Sequence, residues 1–286
     1  MSQISAFIQK EVLNSYKIKY SNKYIEEKII PIIDYINISK KNKFLISGSQ
    51  GIGKSTIINI ISKTLTKFYR KKVLVLSLDD YYLSKKERAD LSKNEHKLLE
   101  TRGVPGTHNI KELLIDINKF EKKSYPISLP IFDKLIDNII NKKKIIRSKH
   151  DILILEGWCC GCRKIKKKYL YKNINILERK FDSKFKWRNY YNKKLRTDYK
   201  KLFEKFEEKI YFKAPSFKIV HFWRYRQEIN NKSTSMKSKK MDFHQIKIFI
   251  QYYEKITRWM MNDYSKIANL VINVDKNQNI KSIRKN

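Results

Sequence analysis

Five short runs of apolar residues alternate along the chain with longer stretches in which apolar residues recur every three or four positions. The short runs are almost continuously aliphatic or aromatic, which is typical of strands buried on both faces of a parallel sheet. We therefore predict strands at residues 43–47, 73–77, 152–155, 209–212 and 270–274.

The longer stretches predict helices, and Pro126 and Pro130 mark a loop among them. The helical segments are residues 4–38, 56–69, 86–101, 109–121, 184–207, 216–229 and 243–256. Strands that alternate with helices predict an α/β fold of three layers, with a five-strand parallel sheet between two layers of helices. We find no repeat and no linker, so we expect one domain over residues 1–286 with an N-terminal helical extension at 1–40.

The charge of the chain first suggests a polyanionic partner. The 286 residues include 64 Lys+Arg and 28 Asp+Glu, a formal net charge of +36. Only twelve of the basic residues are Arg, the side chain that phosphate and base recognition favours. The chain is rich in Lys, Ile, Asn and Tyr and poor in Gly, Ala, Pro and Arg, which indicates a bias towards A/T-rich codons. We therefore expect a solvated basic surface and no nucleic-acid partner, with polyanion binding as the alternative.

Glycine carries more information than lysine in this composition. The chain has seven Gly, where average usage of about 7% would give roughly twenty. All seven lie in three clusters, at residues 48–53, 103–106 and 157–161. Glycines that persist under such a bias indicate places where a Cβ is not tolerated, for example where backbone meets a ligand.

The cysteines and the apolar runs bear on the compartment. The three Cys lie within residues 159–162, so they cannot form a long-range disulfide framework, and we expect a reducing, cytoplasmic environment. Three thiols so close together are also a poor basis for a tetrahedral metal site. No apolar run reaches the length of about 18 residues that a membrane span requires, and the first residues lack the layout of a secretory signal. We expect no membrane partner.

Residues 48–55 match the phosphate-binding motif G-x-x-x-x-G-K-[ST] between a predicted strand and a predicted helix. In this P-loop the backbone N–H groups point at phosphate at a helix N-terminus. We expect Lys54 to reach the β- and γ-phosphates of ATP and the Ser55 hydroxyl to bind Mg²⁺. The expected nucleotide-binding residues are Gly48, Ser49, Gln50, Gly51, Ile52, Gly53, Lys54, Ser55 and Thr56.

Carboxylates follow two of the buried strands. Asp79 and Asp80 follow the second strand, and Glu156 follows the third. In open α/β sheets, ligands bind at the carboxyl ends of the strands. A carboxylate at Asp79 can deprotonate an acceptor hydroxyl, and Glu156 stands where a Walker B residue binds Mg²⁺. The structural alternative for Asp79 and Asp80 is a helix-capping or loop-ordering role, and for Glu156 it is a purely structural carboxylate.

Two further segments carry polar side chains suited to an anionic substrate. Arg102 and His108 lie in a loop with two glycines and a proline, where Arg102 offers a bidentate fork to an anionic substrate and His108 a hydrogen bond. A lone His is more often a structural hydrogen-bond donor, so that alternative stays open for His108. Arg224 and Arg226 precede the polar segment 230–240. We predict a helical lid at about 224–242 that closes Arg224 over the transferring phosphate, although both arginines would also suit a solvated helix surface.

The motifs, in this order, resemble the D-glycerate 3-kinase family of plants, fungi and cyanobacteria, a branch of the P-loop kinases related to uridine kinase, pantothenate kinase and phosphoribulokinase. The resemblance covers about residues 25–275. It rests on the P-loop and on the segments 78–83, 98–108, 130–134, 155–158, 192–195 and 223–228. Of these, the run Arg-Gly-x-Pro-Gly-Thr-His and the triplet Glu-Gly-Trp are specific to the branch.

The resemblance implies a kinase of the P-loop NTPase fold that uses ATP and Mg²⁺ to phosphorylate a small anionic hydroxy-acid, D-glycerate, to 3-phosphoglycerate. It implies that Asp79 is the general base and that Arg224 is a lid arginine. Substrate-binding residues are expected at Asp80, Tyr82, Arg102, His108 and Asp133. The chain departs from the family pattern on the acceptor side, at Asn109, at Phe132 and at residues 135–144, which replace a Gly-Asp-Arg stretch.

Three other functions stay open at this point. In the first, the protein is again a P-loop kinase, but its acceptor is a nucleoside or a pantothenate-like alcohol. The second is a nucleic-acid-associated P-loop ATPase, motivated by the charge. The third is an ATP-binding regulator without activity, motivated by the departures on the acceptor side.

Overall fold

The computed structural model describes residues 2–230 and 241–286. Its central sheet has six strands in the order β10-β9-β8-β1-β7-β2. Neighbouring strands are parallel except β10, which pairs antiparallel with β9. The strands are β1 Lys43–Gly48, β2 Val73–Ser77, β3 Ile127–Leu129, β4 Phe132–Asp133, β5 Asn138–Ile139, β6 Lys144–Ile146, β7 Ile152–Gly157, β8 Glu208–Lys213, β9 Leu270–Val274 and β10 Ile280–Lys285.

The five predicted strands are confirmed as β1, β2, β7, β8 and β9. The sixth, β10, is an edge strand in which mainly Ile280 is buried, so it lacks the apolar run on which the prediction depended. The loop predicted around the two prolines contains short antiparallel pairs, β3 with β6 and β4 with β5. The second pair matters for the site because it forms the hairpin that carries residues 132–139.

Helices cover the sheet and connect its strands. They are α1 Gln3–Tyr16, α2 Asn22–Tyr24, α3 Ile30–Ile38, α4 Lys54–Tyr69, α5 Lys85–Asn94, α6 Ile110–Glu121, α7 Lys167–Leu170, α8 Ile176–Phe181, α9 Lys186–Arg196, α10 Asp198–Phe203, α11 Phe217–Asn230, α12 Phe243–Phe249 and α13 Gln251–Asn262. A π-helical turn, Ile25–Ile29, joins α2 to α3. The three-layer α/β class is confirmed, with six strands in place of five.

Four of the predicted helical segments are interrupted. The segment 4–38 is divided after Tyr16, the end of α1, and the segment 86–101 after Asn94, the end of α5. Two others are each divided into two. The helix predicted at 184–207 breaks at Thr197, whose backbone leaves the helical region at φ −108° and ψ −91°. The Thr197 hydroxyl donates to the Lys193 carbonyl at 3.1 Å, a back-bond that bends helices. The stripe predicted at 243–256 is divided at Ile250 between α12 and α13.

The N-terminal helices pack on α4, the helix that follows the P-loop. Phe7 meets Phe68 edge to face at 5.4 Å between ring centroids. The amide of Asn59 donates to the Tyr16 hydroxyl at 2.7 Å. Ile8 is fully buried in the same core as the sheet, so the extension supports the helix that positions the phosphate-binding loop.

The predicted lid at about 224–242 is described only at its ends, since residues 231–240 lie outside the described residues. No helix within residues 2–230 and 241–286 combines the length and the apolar character that a bilayer crossing requires.

Candidate active site

The P-loop connects β1 to α4 at the carboxyl edge of the sheet, as its motif predicted. Gly53 caps the N-terminus of α4 at φ +95°, a backbone conformation that favours glycine. A Cβ on Gly53 would meet no described atom within 4 Å, so the loop surrounds open space there. Gly51, by contrast, has its φ at +72° and lies against α11, where a Cβ would come within 2.8 Å of the Trp223 Cβ.

Lys54 lies inside the loop that it is predicted to share with phosphate. Its side chain is buried, and its ammonium donates to the Gly48 carbonyl at 2.9 Å and the Ser49 carbonyl at 3.4 Å. Within the described part of the chain, the Ser49 hydroxyl and both polar atoms of the Gln50 amide are buried without hydrogen-bond partners. Unpaired buried polar groups are costly, so this loop fits a ligand that supplies hydrogen-bond partners.

The two residues predicted to bind Mg²⁺ lie on adjoining elements. Ser55 is exposed in the first turn of α4. Glu156 lies in β7, in register with Ile46 of β1 and Ser77 of β2, and the Ser77 hydroxyl donates to its carboxylate at 2.7 Å. A hydroxyl and a carboxylate at this edge are the oxygen donors that Mg²⁺ prefers, so the residues present fit the metal.

Asp79 lies just beyond β2, in the 3₁₀ turn Leu78–Tyr81. Lys134, from the turn of the β4–β5 hairpin, donates to one of its carboxylate oxygens at 2.6 Å. Burial alone would raise the pKa of Asp79. The Lys134 ammonium, with smaller contributions from His108 and Lys54, outweighs that effect, so the pKa falls to about 2. The other carboxylate oxygen is buried and meets no hydrogen-bond donor among the described residues. Asp79 is therefore ionised at neutral pH with one oxygen available to a ligand.

The neighbouring Asp80 has the opposite electrostatic environment. Burial, together with the negative charges of Asp79 and Glu156, raises its pKa to about 6 despite a backbone hydrogen bond at Phe132. Asp80 therefore takes up a proton as the pH falls through about 6, whereas Asp79 stays ionised there. Neighbouring carboxyl groups with such different pKa values are common where environments are tuned for proton transfer or metal binding.

The loop 102–109 is tied to the chain beyond Asp79 by backbone hydrogen bonds. The Leu83 amide donates to the Thr107 carbonyl at 2.9 Å, and the Asn109 amide donates to the Tyr81 carbonyl at 2.7 Å. The rings of Tyr82 and His108 stack at 4.2 Å between centroids. These contacts bring His108 and Tyr82, which the motifs predicted separately, to one side of Asp79.

His108 is buried and neutral. Burial lowers its pKa to about 3, against the opposing effect of the Asp79 charge. Its Nδ1 lies 2.5 Å from the Tyr199 hydroxyl, from α10. Its Nε2 is buried and has no hydrogen-bond partner in residues 2–230 or 241–286.

Arg102 is ion-paired in this structure. Its guanidinium contacts the Asp137 carboxylate, and Arg88, which is almost fully buried, holds the other oxygen of that carboxylate at 2.6 Å. Asp137 belongs to the 135–144 segment in which the sequence departs from the family pattern. Asp133 accepts a 2.7 Å hydrogen bond from the Leu135 amide, so its carboxylate orders the hairpin turn. An acceptor anion that binds Arg102 has to compete with Asp137.

Arg224 lies on α11 and is mostly buried, 12% exposed. Its guanidinium pairs with Glu228 one turn along the same helix, at 2.7 Å. It also influences the pKa of Tyr253, whose hydroxyl donates to the Arg102 carbonyl at 3.1 Å. The Arg224 guanidinium lies over the ring of Phe249, at 5.8 Å from its centroid. Residues 231–240 of the predicted lid lie outside the described residues.

Sequence reasoning missed four residues of this site. Lys134 lies within a motif that carried the family resemblance, and its adjacency to Asp133 was a usable signal. No sequence signal pointed to the other three, Asp137, Tyr199 and Tyr253, because their roles depend on chain segments that meet only in the fold.

The cysteine cluster belongs to the core. Cys159, Cys160 and Cys162 are buried and free, and burial raises the pKa of each thiol. Across the described residues, no group of three or more His, Cys, Asp and Glu side chains is arranged to hold a metal ion.

The chain is similar to known kinases. No protein-family model matches the chain. The probable ATP-dependent kinase TDA10 of Saccharomyces cerevisiae is 30% identical over 94% of this chain and 95% of its own length. The chloroplastic D-glycerate 3-kinase of Arabidopsis thaliana is 29% identical over 40% of this chain and 27% of its own length. The pantothenate kinase of Ligilactobacillus salivarius is 28% identical over 39% of this chain and 35% of its own length.

A solved structure, the D-glycerate 3-kinase from Cryptococcus neoformans, has a TM-score of 0.72 to the chain at 20% identity, covering 90% of this chain and 96% of that one. This likeness shows a shared fold, that of the P-loop kinases.

Proposed function

The chain belongs to the family of P-loop kinases that includes the probable ATP-dependent kinase TDA10, and we propose that it transfers the γ-phosphate of ATP to a hydroxyl of a small hydroxy-acid, D-glycerate. The kinase activity on a small molecule follows from the family. The acceptor is the proposal. The observation that carries it is the convergence of a base with two cations at one edge of the sheet. Lys134 donates to Asp79 at 2.6 Å, and the Arg102 guanidinium donates to the Lys134 carbonyl at 3.4 Å.

The nucleotide is assigned to the P-loop. Lys54 and the amides at the start of α4 bind its phosphates, and the unpaired polar groups of Ser49 and Gln50 are available to it. Mg²⁺, held by Ser55 and Glu156, would neutralise phosphate charge during transfer.

Asp79 is assigned to the acceptor hydroxyl. Its free carboxylate oxygen accepts the proton of that hydroxyl while the hydroxyl oxygen forms a bond to the γ-phosphorus and the bond from that phosphorus to ADP breaks. With a pKa of about 2, Asp79 is a weak base. Its contribution is therefore mostly orientation, which suits phosphoryl transfer because little proton transfer is required before the transition state.

The cations of the acceptor side favour an anionic substrate. Lys134 is more than half exposed and reaches Asp79, so it is placed to contact a carboxylate beside the reacting hydroxyl. Arg102 offers a second contact once Asp137 is displaced. The similarity to D-glycerate 3-kinase supports D-glycerate among the small hydroxy-acids.

An ADP-release assay across a panel of acceptors tests this proposal. The panel contains D-glycerate, uridine, pantothenate and no acceptor, and the product is identified by ³¹P NMR. We expect ADP release with D-glycerate and a phosphoglycerate product. Turnover of uridine or pantothenate without turnover of D-glycerate would contradict the proposed acceptor.

The same assay addresses the other functions. ATP hydrolysis that DNA or RNA stimulates, with affinity falling steeply as salt rises, would indicate a nucleic-acid-associated ATPase. Tight ATP binding with no turnover of any acceptor would indicate a regulator.

A further inference from the structure

Tyr199 is a fully buried tyrosine with two hydrogen-bond partners on the acceptor side. The Gly106 amide donates to its hydroxyl at 3.0 Å, and the hydroxyl lies 2.5 Å from Nδ1 of His108. Both partners belong to the loop 102–109, while Tyr199 itself comes from α10, on the far side of the break at Thr197. A single hydroxyl therefore joins α10 to the loop that holds His108.

The hydrogen bonds of this hydroxyl determine which nitrogen of His108 carries the proton. The Gly106 N–H can only donate, so it uses a lone pair of the Tyr199 oxygen. The phenol proton then needs an acceptor, and the one within reach among the described residues is Nδ1 of His108. Nδ1 is therefore unprotonated, and the neutral ring carries its proton on Nε2.

The described residues provide no hydrogen-bond acceptor for the proton on Nε2. Nε2 is buried and unpartnered within the described residues, and so is one oxygen of Asp79. The two side chains are close enough for each to affect the pKa of the other. The site thus contains a buried N–H donor and a buried carboxylate acceptor that do not pair with each other, a combination that fits a ligand able to both accept and donate hydrogen bonds.

We propose that Tyr199 is a positioning residue that fixes His108 as an N–H donor to the acceptor beside Asp79. This inference rests on the proposed function for the identity of the ligand, and on geometry alone for the tautomer. Tyr82 stacks on the imidazole and limits its rotation. Tyr199 therefore determines which nitrogen carries the proton, and Tyr82 determines the orientation of the ring plane. A hydroxy-acid accepts the Nε2 proton at a hydroxyl or carboxylate oxygen and donates its reacting hydroxyl to Asp79.

The first test measures the tautomer and does not depend on activity. In ¹⁵N-histidine-labelled protein without ligand, we expect His108 with Nε2 protonated and Nδ1 unprotonated. Tyr199→Phe should move the Nδ1 resonance, because that nitrogen loses its hydrogen bond. Tyr191→Phe is the matched control, since Tyr191 is equally buried and its hydroxyl has no hydrogen-bond partner in the described chain. A proton on Nδ1 in the wild type would overturn the proposal even if D-glycerate is a good substrate.

The second test asks whether Tyr199 acts through His108. We expect Tyr199→Phe to raise the KM for the acceptor or lower kcat by about 10- to 100-fold, the range for a small misplacement of a site group. The KM for ATP should not change, and Tyr191→Phe should match the wild type. In a His108→Leu background, Tyr199→Phe should have no further effect. Additive losses, or an equal rise in the KM for ATP, would show that Tyr199 supports the fold in general and would contradict the proposed role.

Discussion

Replacing Lys134 tests the electrostatics of the proposed base. Lys134→Met keeps most of the side-chain stem and removes the ammonium that lies 2.6 Å from the Asp79 carboxylate. Burial alone raises the pKa of Asp79, and Lys134 is the largest opposing influence, so the pKa of Asp79 should rise from its value of about 2 in the variant.

The size of the rise follows from that pKa and from the exposure of the pair. A return from about 2 to the ordinary 3.8 corresponds to about 2.5 kcal/mol. Because Lys134 is 57% exposed, solvent screens the pair, and we expect about half of this, or about one pH unit. The pKa of Asp79 is lower in the folded state than in the unfolded state. The pair with Lys134 therefore stabilises the fold at pH values above the unfolded-state pKa of Asp79. This stabilisation is lost as the pH falls through the folded-state pKa.

The assay is a ¹³C NMR titration of carboxyl-labelled aspartates in nucleotide-free protein, with the Asp79 signal assigned from Asp79→Asn. The midpoint for Asp79 should rise by about one pH unit in Lys134→Met. Lys143→Met is the control, because Lys143 forms a comparable exposed pair with Glu112 at 3.4 Å. An unchanged Asp79 midpoint in Lys134→Met, or an equal change in Lys143→Met, would refute the reasoning.

Three further predictions follow from neighbouring contacts. Asp137→Asn, which frees Arg102, should lower the KM for an anionic acceptor about three- to tenfold, measured by ADP release; a higher KM would contradict competition between Asp137 and the acceptor. Asp80→Asn should stabilise the ligand-free protein by about 1–3 kcal/mol at pH 8 and by little at pH 4, since a raised folded pKa lowers stability as the pH rises to about 6. Denaturant unfolding at both pH values checks this, and equal gains would contradict it. Gly51→Ala should lower the melting temperature more than Gly53→Ala, because only a Cβ at residue 51 would meet Trp223. Gly53→Ala should instead weaken ATP binding. The reverse order of melting temperatures would contradict the packing of Gly51 on Trp223.

The sequence predicted the five parallel strands well because each is a short apolar run whose residues are buried or half-buried in the fold. Val73–Ser77 and Leu270–Val274 read as continuous apolar runs, and both are strands. β10 buries only Ile280 at the sheet edge and is otherwise exposed or half-buried, so it gave no such signal. The prediction of one helix over 184–207 was wrong because the apolar periodicity continues past Thr197, whereas the backbone leaves the helical conformation at that residue.

Some residues of the candidate site could likewise be predicted from the sequence and others could not. Lys54, Asp79 and Glu156 could be predicted because each follows a buried strand, and strand ends meet at one edge of a parallel sheet. The pairs Lys134 with Asp79 and Arg102 with Asp137 could not, because they form only when the β4–β5 hairpin folds over that edge.

The scarcity of glycine also acquires a second meaning from the structure. We interpreted the clusters as places where backbone meets a ligand, and Gly53, which faces open space among the described atoms, suits that interpretation. Gly51 lies against Trp223 of α11, so there the missing Cβ makes room for protein. A scarce residue type therefore marks crowding as well as ligand approach.

The most direct test of the central claim compares the wild type with Asp79→Asn in D-glycerate-dependent ADP release, with ATP affinity measured on both by calorimetry. We predict turnover of D-glycerate by the wild type, and near-complete loss of it in Asp79→Asn with ATP affinity retained, because Asp79 contacts the acceptor and the P-loop holds the nucleotide. Near-full turnover by Asp79→Asn, or no turnover of D-glycerate by the wild type, would contradict the claim.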